Sequence, residues 1–147
     1  NDFPDGWALS CSSPSLRYLL PLCPDDTRVM AWVKPFHAWK KGVTPSYAWE
    51  PVLVHGGRPR AFGTADDDGT RLKYGYRDFV SANITLQRGV SGAKPWGFCW
   101  WLFEVLNVQP GDDLVDLFPG SGAVSVALDG YFGRVPAGPD SLFGEAS

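Results

Sequence analysis

Apolar residues fall in short runs cut by proline and glycine, and the spacing within each run predicts the elements. Trp7-Ala8-Leu9-Ser10 predicts a short strand. Ser13-Pro14 then supplies an N-cap with proline at the first helical position, and Leu16, Leu19 and Leu20 fall on one helical face. Pro21-Leu22-Cys23-Pro24-Asp25-Asp26 breaks that helix, and residues 28–33 return as a β-type run ending at Lys34-Pro35. Strand, helix, strand predicts a parallel βαβ unit.

Residues 36–47 mix aromatic and basic side chains without a clean period, and Pro51-Val52-Leu53-Val54 predicts another short buried strand. Residues 56–76 offer little to bury and are predicted as a long substrate-side loop, since loops of this length usually carry function. Pro95 opens a helix to about Leu106 that is apolar on nearly every side, so other elements must cover it. Pro110-Gly111-Asp112-Asp113 turns the chain into a predicted strand over 114–118. Pro119-Gly120-Ser121-Gly122 then makes a glycine turn, and a helix starts at about Ala123.

With 147 residues, 44% hydrophobic and 20% charged, this is one ordinary domain with material for a single core, which excludes disorder and collagen. No apolar run approaches the eighteen or so residues of a membrane span, and Asn1-Asp2-Phe3-Pro4-Asp5 lacks signal-peptide order. The chain starts without methionine and enters a strand almost at once, so an upstream segment is expected to be missing. Cys11, Cys23 and Cys99 form no C-x-x-C pair, and His37 and His55 are far apart. A reduced intracellular compartment, the cytoplasm, is expected, with no metal and no membrane partner.

Net charge is -3, unevenly spread. Residues 27–95 hold eleven Lys and Arg against five acids, between acidic ends. A basic middle fits a local polyanion site or, equally, solvated surface loops.

A strand feeding Gly-x-Gly and then a helix brings backbone N–H groups close to a ligand. Here no Gly-Lys-Ser/Thr follows, Ser125 replaces the third glycine of the dinucleotide fingerprint, and Pro119 and Ala123 rule out a serine-hydrolase elbow. A tight connection without a ligand remains the plain alternative. So do a solvated Lys94 and an Asp116 that merely caps the following turn.

Lys94-Pro95, the apolar helix, Pro-Gly-Asp-Asp and then Asp116-Leu117-Phe118-Pro119-Gly120-Ser121-Gly122 resemble one group of enzymes. These are the adenine-N6 and cytosine-N4 methyltransferases whose S-adenosylmethionine (AdoMet) motif lies C-terminal to the catalytic motif. Upstream, Ala31-Trp32-Val33-Lys34-Pro35, residues 42–47 and Ala48-Trp49-Glu50-Pro51-Val52-Leu53-Val54 look like the MT-A70 branch of adenine methyltransferases. The resemblance runs from about Asp5 to Ala127 and is most specific over 94–122. It implies a single α/β domain with a doubly wound, Rossmann-like methyltransferase sheet, N-terminally incomplete. It also implies AdoMet as cofactor, held by Lys94, Pro95, Asp116, Phe118, Gly120, Ser121 and Gly122. AdoMet carries an ammonium, a carboxylate, two ribose hydroxyls and a sulfonium, so a carboxylate, a cation and N–H donors suit it.

In that family a tetrapeptide, Asp/Asn/Ser-Pro-Pro-aromatic, accepts the amine hydrogens and stacks on the flipped base. No Pro-Pro occurs here, and Thr44-Pro45-Ser46-Tyr47, the nearest imitation, has a poor acceptor and follows the second strand. No catalytic residue is therefore assigned. In the family's order the motif would precede Asp5, so truncation is the expected reason. Genuine loss would leave a noncatalytic nucleic-acid-binding or partner subunit on the same fold, alone or in an oligomer. For DNA, with RNA not distinguished, the candidate contacts are Lys34, Trp39, Lys40, Lys41, Tyr47, Arg58 and Arg60. They combine cations for phosphate with aromatic rings for an extruded base.

Overall fold

A computed structural model describes residues 3, 5–36, 39, 41–59, 77–84 and 93–133. In chain order these form β1 (Gly6–Ser10), α1 (Ser13–Leu19), a 3-10 turn (Leu20–Leu22), β2 (Arg28–Val33), β3 (Trp49–Gly56), β4 (Phe79–Ser81), α2 (Trp96–Leu106) and α3 (Ala123–Tyr131). The result is a small α/β domain built on a mixed, open four-stranded sheet.

The strand order is β1-β3-β2-β4, with β3 antiparallel to both neighbours and β2 parallel to β4. Strands β1 and β2 point the same way, as the expected parallel βαβ unit requires, and β3 is inserted between them. The cause is legible in β3 itself, whose Pro51, Val52, Leu53 and Val54 are all buried, as a strand covered on both faces requires. Pro51 is tolerated inside this central strand because of its register. Its partner Ala31 donates to Asp78 O on the β4 side, at 2.9 Å, so no bond from Pro51 to β2 is lost. On the β1 side Pro51 O still accepts from Cys11 N at 3.0 Å, at the very end of that ladder.

Helix α1 begins one residue earlier than its sequence cap suggests, because Ser12 and not Ser13 accepts the Ser15 N–H. Helix α2 is the apolar helix expected from the sequence, and it buries Phe98, Cys99 and Phe103. Asn107, in the left-handed region at φ 55°, ends it, with Val108 N bonding back to Phe103 O at 2.9 Å. The core joins Met30 and Trp32 of β2, Val52 and Val54 of β3, the three buried α2 residues, Val108, and Ala127 of α3. The indoles of Trp100 and Trp101 are anchored by N–H bonds to Ala127 O and Arg77 O.

The strand expected over 114–118 does not form: these residues pair with no strand among the described residues. Leu114 packs against the core, but Val115, Leu117 and Phe118 are exposed, Phe118 at 78%. An apolar run becomes a strand only where another backbone takes its hydrogen bonds, and none of the described residues supplies one here. Strand β4, only three residues long, had no sequence signal of its own. It is defined by its pairing with Ala31, Trp32 and Val33. Most of the predicted 56–76 loop, from residue 60 onward, lies outside the described residues.

Candidate functional site

Two groups of expected site residues meet around the N-terminal turn of α2. Pro95 is the N-cap of that helix, with its carbonyl accepting from Phe98 N and Cys99 N. The preceding residue, Lys94, extends over the edge of the sheet. Its Nζ donates to Glu50 Oε2 at 3.0 Å and Ser10 Oγ at 3.1 Å, and stands 4.6 Å from the Trp32 ring and 5.3 Å from Phe98. Lys34, expected at a nucleic-acid surface, instead joins the same cluster. Its side chain is 11% exposed, it pairs with Glu50 Oε1, and its Nζ also lies 4.6 Å from the Trp32 ring. Burial alone would raise the Glu50 carboxyl, but the hydrogen bonds and charges of Lys34 and Lys94 outweigh it and hold the group below its ordinary value.

Cys99, one turn into α2, connects this cluster to the glycine turn. Burial foremost pushes its thiol up to about 12; the Lys94 charge opposes that rise and the Asp116 charge adds to it. Lys94 and Asp116 thus both lie within electrostatic reach of one buried thiol. Asp116 Oδ1 accepts the Phe118 N–H at 3.0 Å, which is the turn-capping role left open by the sequence. Its Oδ2 is buried with no hydrogen-bond partner among the described residues.

In the turn itself Gly120 and Gly122 take positive φ values of 47° and 72°. A Cβ on Gly122 would meet nothing within 4 Å, and one on Gly120 would meet only Phe118 O at 3.6 Å, so the surface of the turn is open. No side chain caps the α3 N-terminus, and Ser121 and Phe118 are exposed beside it. Unpaired N–H donors at such a terminus suit a polar or anionic ligand group.

Trp39 is 80% exposed, and Tyr47 and Lys41 are also exposed. Phe36, Trp49 and Phe79 are further exposed aromatic residues near this end of β2 and β3. Lys40 and Arg60 lie outside the described residues. Arg58 forms a bidentate pair with Asp112, and its backbone N–H bonds Leu106 O at 3.1 Å, so it ties the end of β3 to the end of α2.

That pair gives a pH prediction. The Arg58 hydrogen bond, with help from the Gln109 N–H, lowers Asp112 from 3.8 to about 2. A depressed folded-state pKa contributes stability above the unfolded value and loses it as pH falls through the folded one. The stability advantage of wild type over Asp112→Asn is therefore expected to be constant above pH 4 and to vanish between about pH 3.8 and 2. Urea titrations across that range check it; an advantage that persists at pH 2 would exclude the linkage.

The site contains residues that sequence reasoning missed. Ser10 carries no motif, Trp32 and Glu50 lie in the resembling upstream segments but were given no role there, and only the β1–β3–β2 order sets all three side by side with Lys94. Among the described residues no group of three or more His, Cys, Asp or Glu could hold a metal ion, and no helix is long and apolar enough to cross a membrane. No protein family, curated protein or solved structure matches the chain.

Proposed function

We propose that this chain is the AdoMet-binding part of an N6-adenine methyltransferase that acts on DNA, with its sheet the core of a Rossmann-like methyltransferase domain. The observation that carries this reading is Asp116, whose Oδ2 is buried without a hydrogen-bond partner among the described residues, a few residues ahead of an open glycine turn. These are the positions that the 94–122 motif assigns to the cofactor. Bound AdoMet would supply the electrophilic methyl group. The chain's own residues would hold and orient it. Lys94 offers an ammonium to a carboxylate, and Asp116 Oδ2 is a free acceptor for a hydroxyl or ammonium hydrogen. The backbone of Gly120, Ser121 and Gly122 permits close approach because no Cβ intervenes at the two glycines, while Pro95 and Phe118 are the remaining positions that the resemblance assigns to the cofactor.

The test separates ligand binding from folding. Asp116→Asn keeps an acceptor for the Phe118 N–H, so the turn should survive while the charge is lost. Calorimetry with S-adenosylhomocysteine should show binding to wild type, and affinity about 10- to 100-fold weaker for Asp116→Asn, the range for one charge-assisted hydrogen bond. Equal affinity with an unchanged circular dichroism spectrum would sink the site. Gly120→Val is a poorer probe, because φ of 47° strains any branched residue whether or not a ligand approaches. Methyl transfer to DNA by these 147 residues alone is not expected, since none of them forms the Pro-Pro-aromatic tetrapeptide.

A further inference from the structure

The cluster of Lys34, Glu50 and Lys94 holds two cations against one carboxylate. Arg58 and Asp112, by contrast, pair one to one. The Lys34 side chain is 11% exposed and those of Lys94 and Glu50 about a quarter, so the surplus charge is only partly hydrated, and partial loss of hydration favours a compensating partner. Glu50 is fully engaged, with one oxygen on each ammonium. The Trp32 face attracts both ammoniums but, as a neutral ring, only partly offsets the second charge. Donors are also left over. An ammonium has three N–H groups; among the described residues Lys34 donates to Glu50 alone, and Lys94 to Glu50 and Ser10.

We infer that Lys34, Lys94 and the Trp32 face form a subsite for one singly charged oxyanion, and that Glu50 is its built-in counter-ion. The ligand group is a carboxylate or a phosphodiester, and both have the single charge and the acceptor oxygens that the surplus ammonium demands. The subsite stands on these side chains; only its assignment to the cofactor carboxylate rests on the function proposed above. In this arrangement Lys34 belongs with Lys94 in one site, and not with the exposed Trp39.

The sign of one substitution distinguishes this from a structural ion cluster. Glu50→Gln keeps the shape and one acceptor while removing the competing negative charge. If Glu50 only holds the fold together, the change weakens whatever the site binds. If it is a counter-ion, anion affinity rises. The expected gain is about three- to tenfold, from removing a like charge roughly 6 Å away at an effective dielectric constant of about 40 to 80.

The measurement is NMR of the lysine ammonium 1H–15N signals in the 147-residue protein, titrated separately with acetate and methyl phosphate. Saturable shifts of both Lys34 and Lys94, tighter in Glu50→Gln and lost in Lys34→Met, support the subsite. No saturable shift with either anion, or weaker or unchanged binding in Glu50→Gln, overturns it. Should Lys34→Met fail to fold, the Glu50→Gln comparison decides alone. Competition then assigns the source. Displacement of acetate by S-adenosylhomocysteine but not by 5′-methylthioadenosine, which lacks the carboxylate, marks the cofactor. Displacement of methyl phosphate by a single-stranded oligonucleotide marks the nucleic-acid backbone. Anion binding that none of these displaces upholds the subsite and counts against the methyltransferase reading.

Discussion

Phe98→Ala should cost about 3–5 kcal/mol of folding stability, the range for removing a buried phenylalanine and leaving its cavity. Phe98 is 2% exposed, sits 4.9 Å ring to ring from Trp32 and 6.1 Å from Trp101, and lies under Lys94. Its aromatic neighbours are large and held on different elements, β2 and α2, so they cannot collapse into the space. Against a typical total stability of about 5–15 kcal/mol, a loss of this size should lower Tm by about 10–15 °C in a chain this long. Because Phe98 and Trp32 also form the floor beneath Lys94, the variant should lose the Lys34–Glu50–Lys94 geometry before it unfolds. Phe98→Leu, which refills most of the volume, should recover more than half of the loss. Thermal and urea denaturation of the three proteins check this; a cost below about 1.5 kcal/mol for Phe98→Ala would remove Phe98 from the core.

Gly130→Val is expected to have the next largest effect, about 3 kcal/mol, at the top of the usual range for overpacking. Gly130 is buried on α3, and a Cβ there would stand 2.5 Å from Cζ3 and 2.7 Å from Cη2 of the Trp96 ring. The two helices approach closely only because this position has no side chain. The Trp96 ring also packs beside Trp100, at 6.0 Å between centroids, which limits its retreat. Gly130→Ala should itself destabilise, by about 1–2 kcal/mol, even though alanine is the better helix former by about 1 kcal/mol. Combining Gly130→Ala with Trp96→Leu should turn the loss into a gain, since the clash is removed and the propensity remains. A double-mutant cycle measures that coupling; additive losses would show that α2 and α3 meet elsewhere.

Local signals were reliable where a residue acts on its own backbone or on its immediate neighbours. The proline and glycine punctuation placed β1, α1, β2, α2 and α3 to within a few residues. The uninterrupted apolar character of Pro51 to Val54 and of α2 marked both as buried. The Gly120 and Gly122 turn was also legible, because positive φ is a property of the residue and its loop.

Strand neighbours and charge partners were not legible, because both depend on elements far apart in the chain. The order β1-β3-β2-β4 puts β3 between the two parallel strands β1 and β2, and residues 114–118 have no strand partner among the described residues despite their apolar pattern. The same order brings Ser10, Glu50 and Lys94 within hydrogen-bond distance across separations of 40 and 84 residues. It also turns Lys34 inward, where sequence placed it on a basic surface. A lysine's sequence neighbours record that it is charged; which carboxylate neutralises it, and whether a charge is left over, is decided only when the sheet assembles. By itself the sequence determined most of the elements, the buried runs and an open glycine turn. Tertiary structure alone decided which cations are spent holding the fold and which remain for something else, because opposite charges find each other through space and not along the chain.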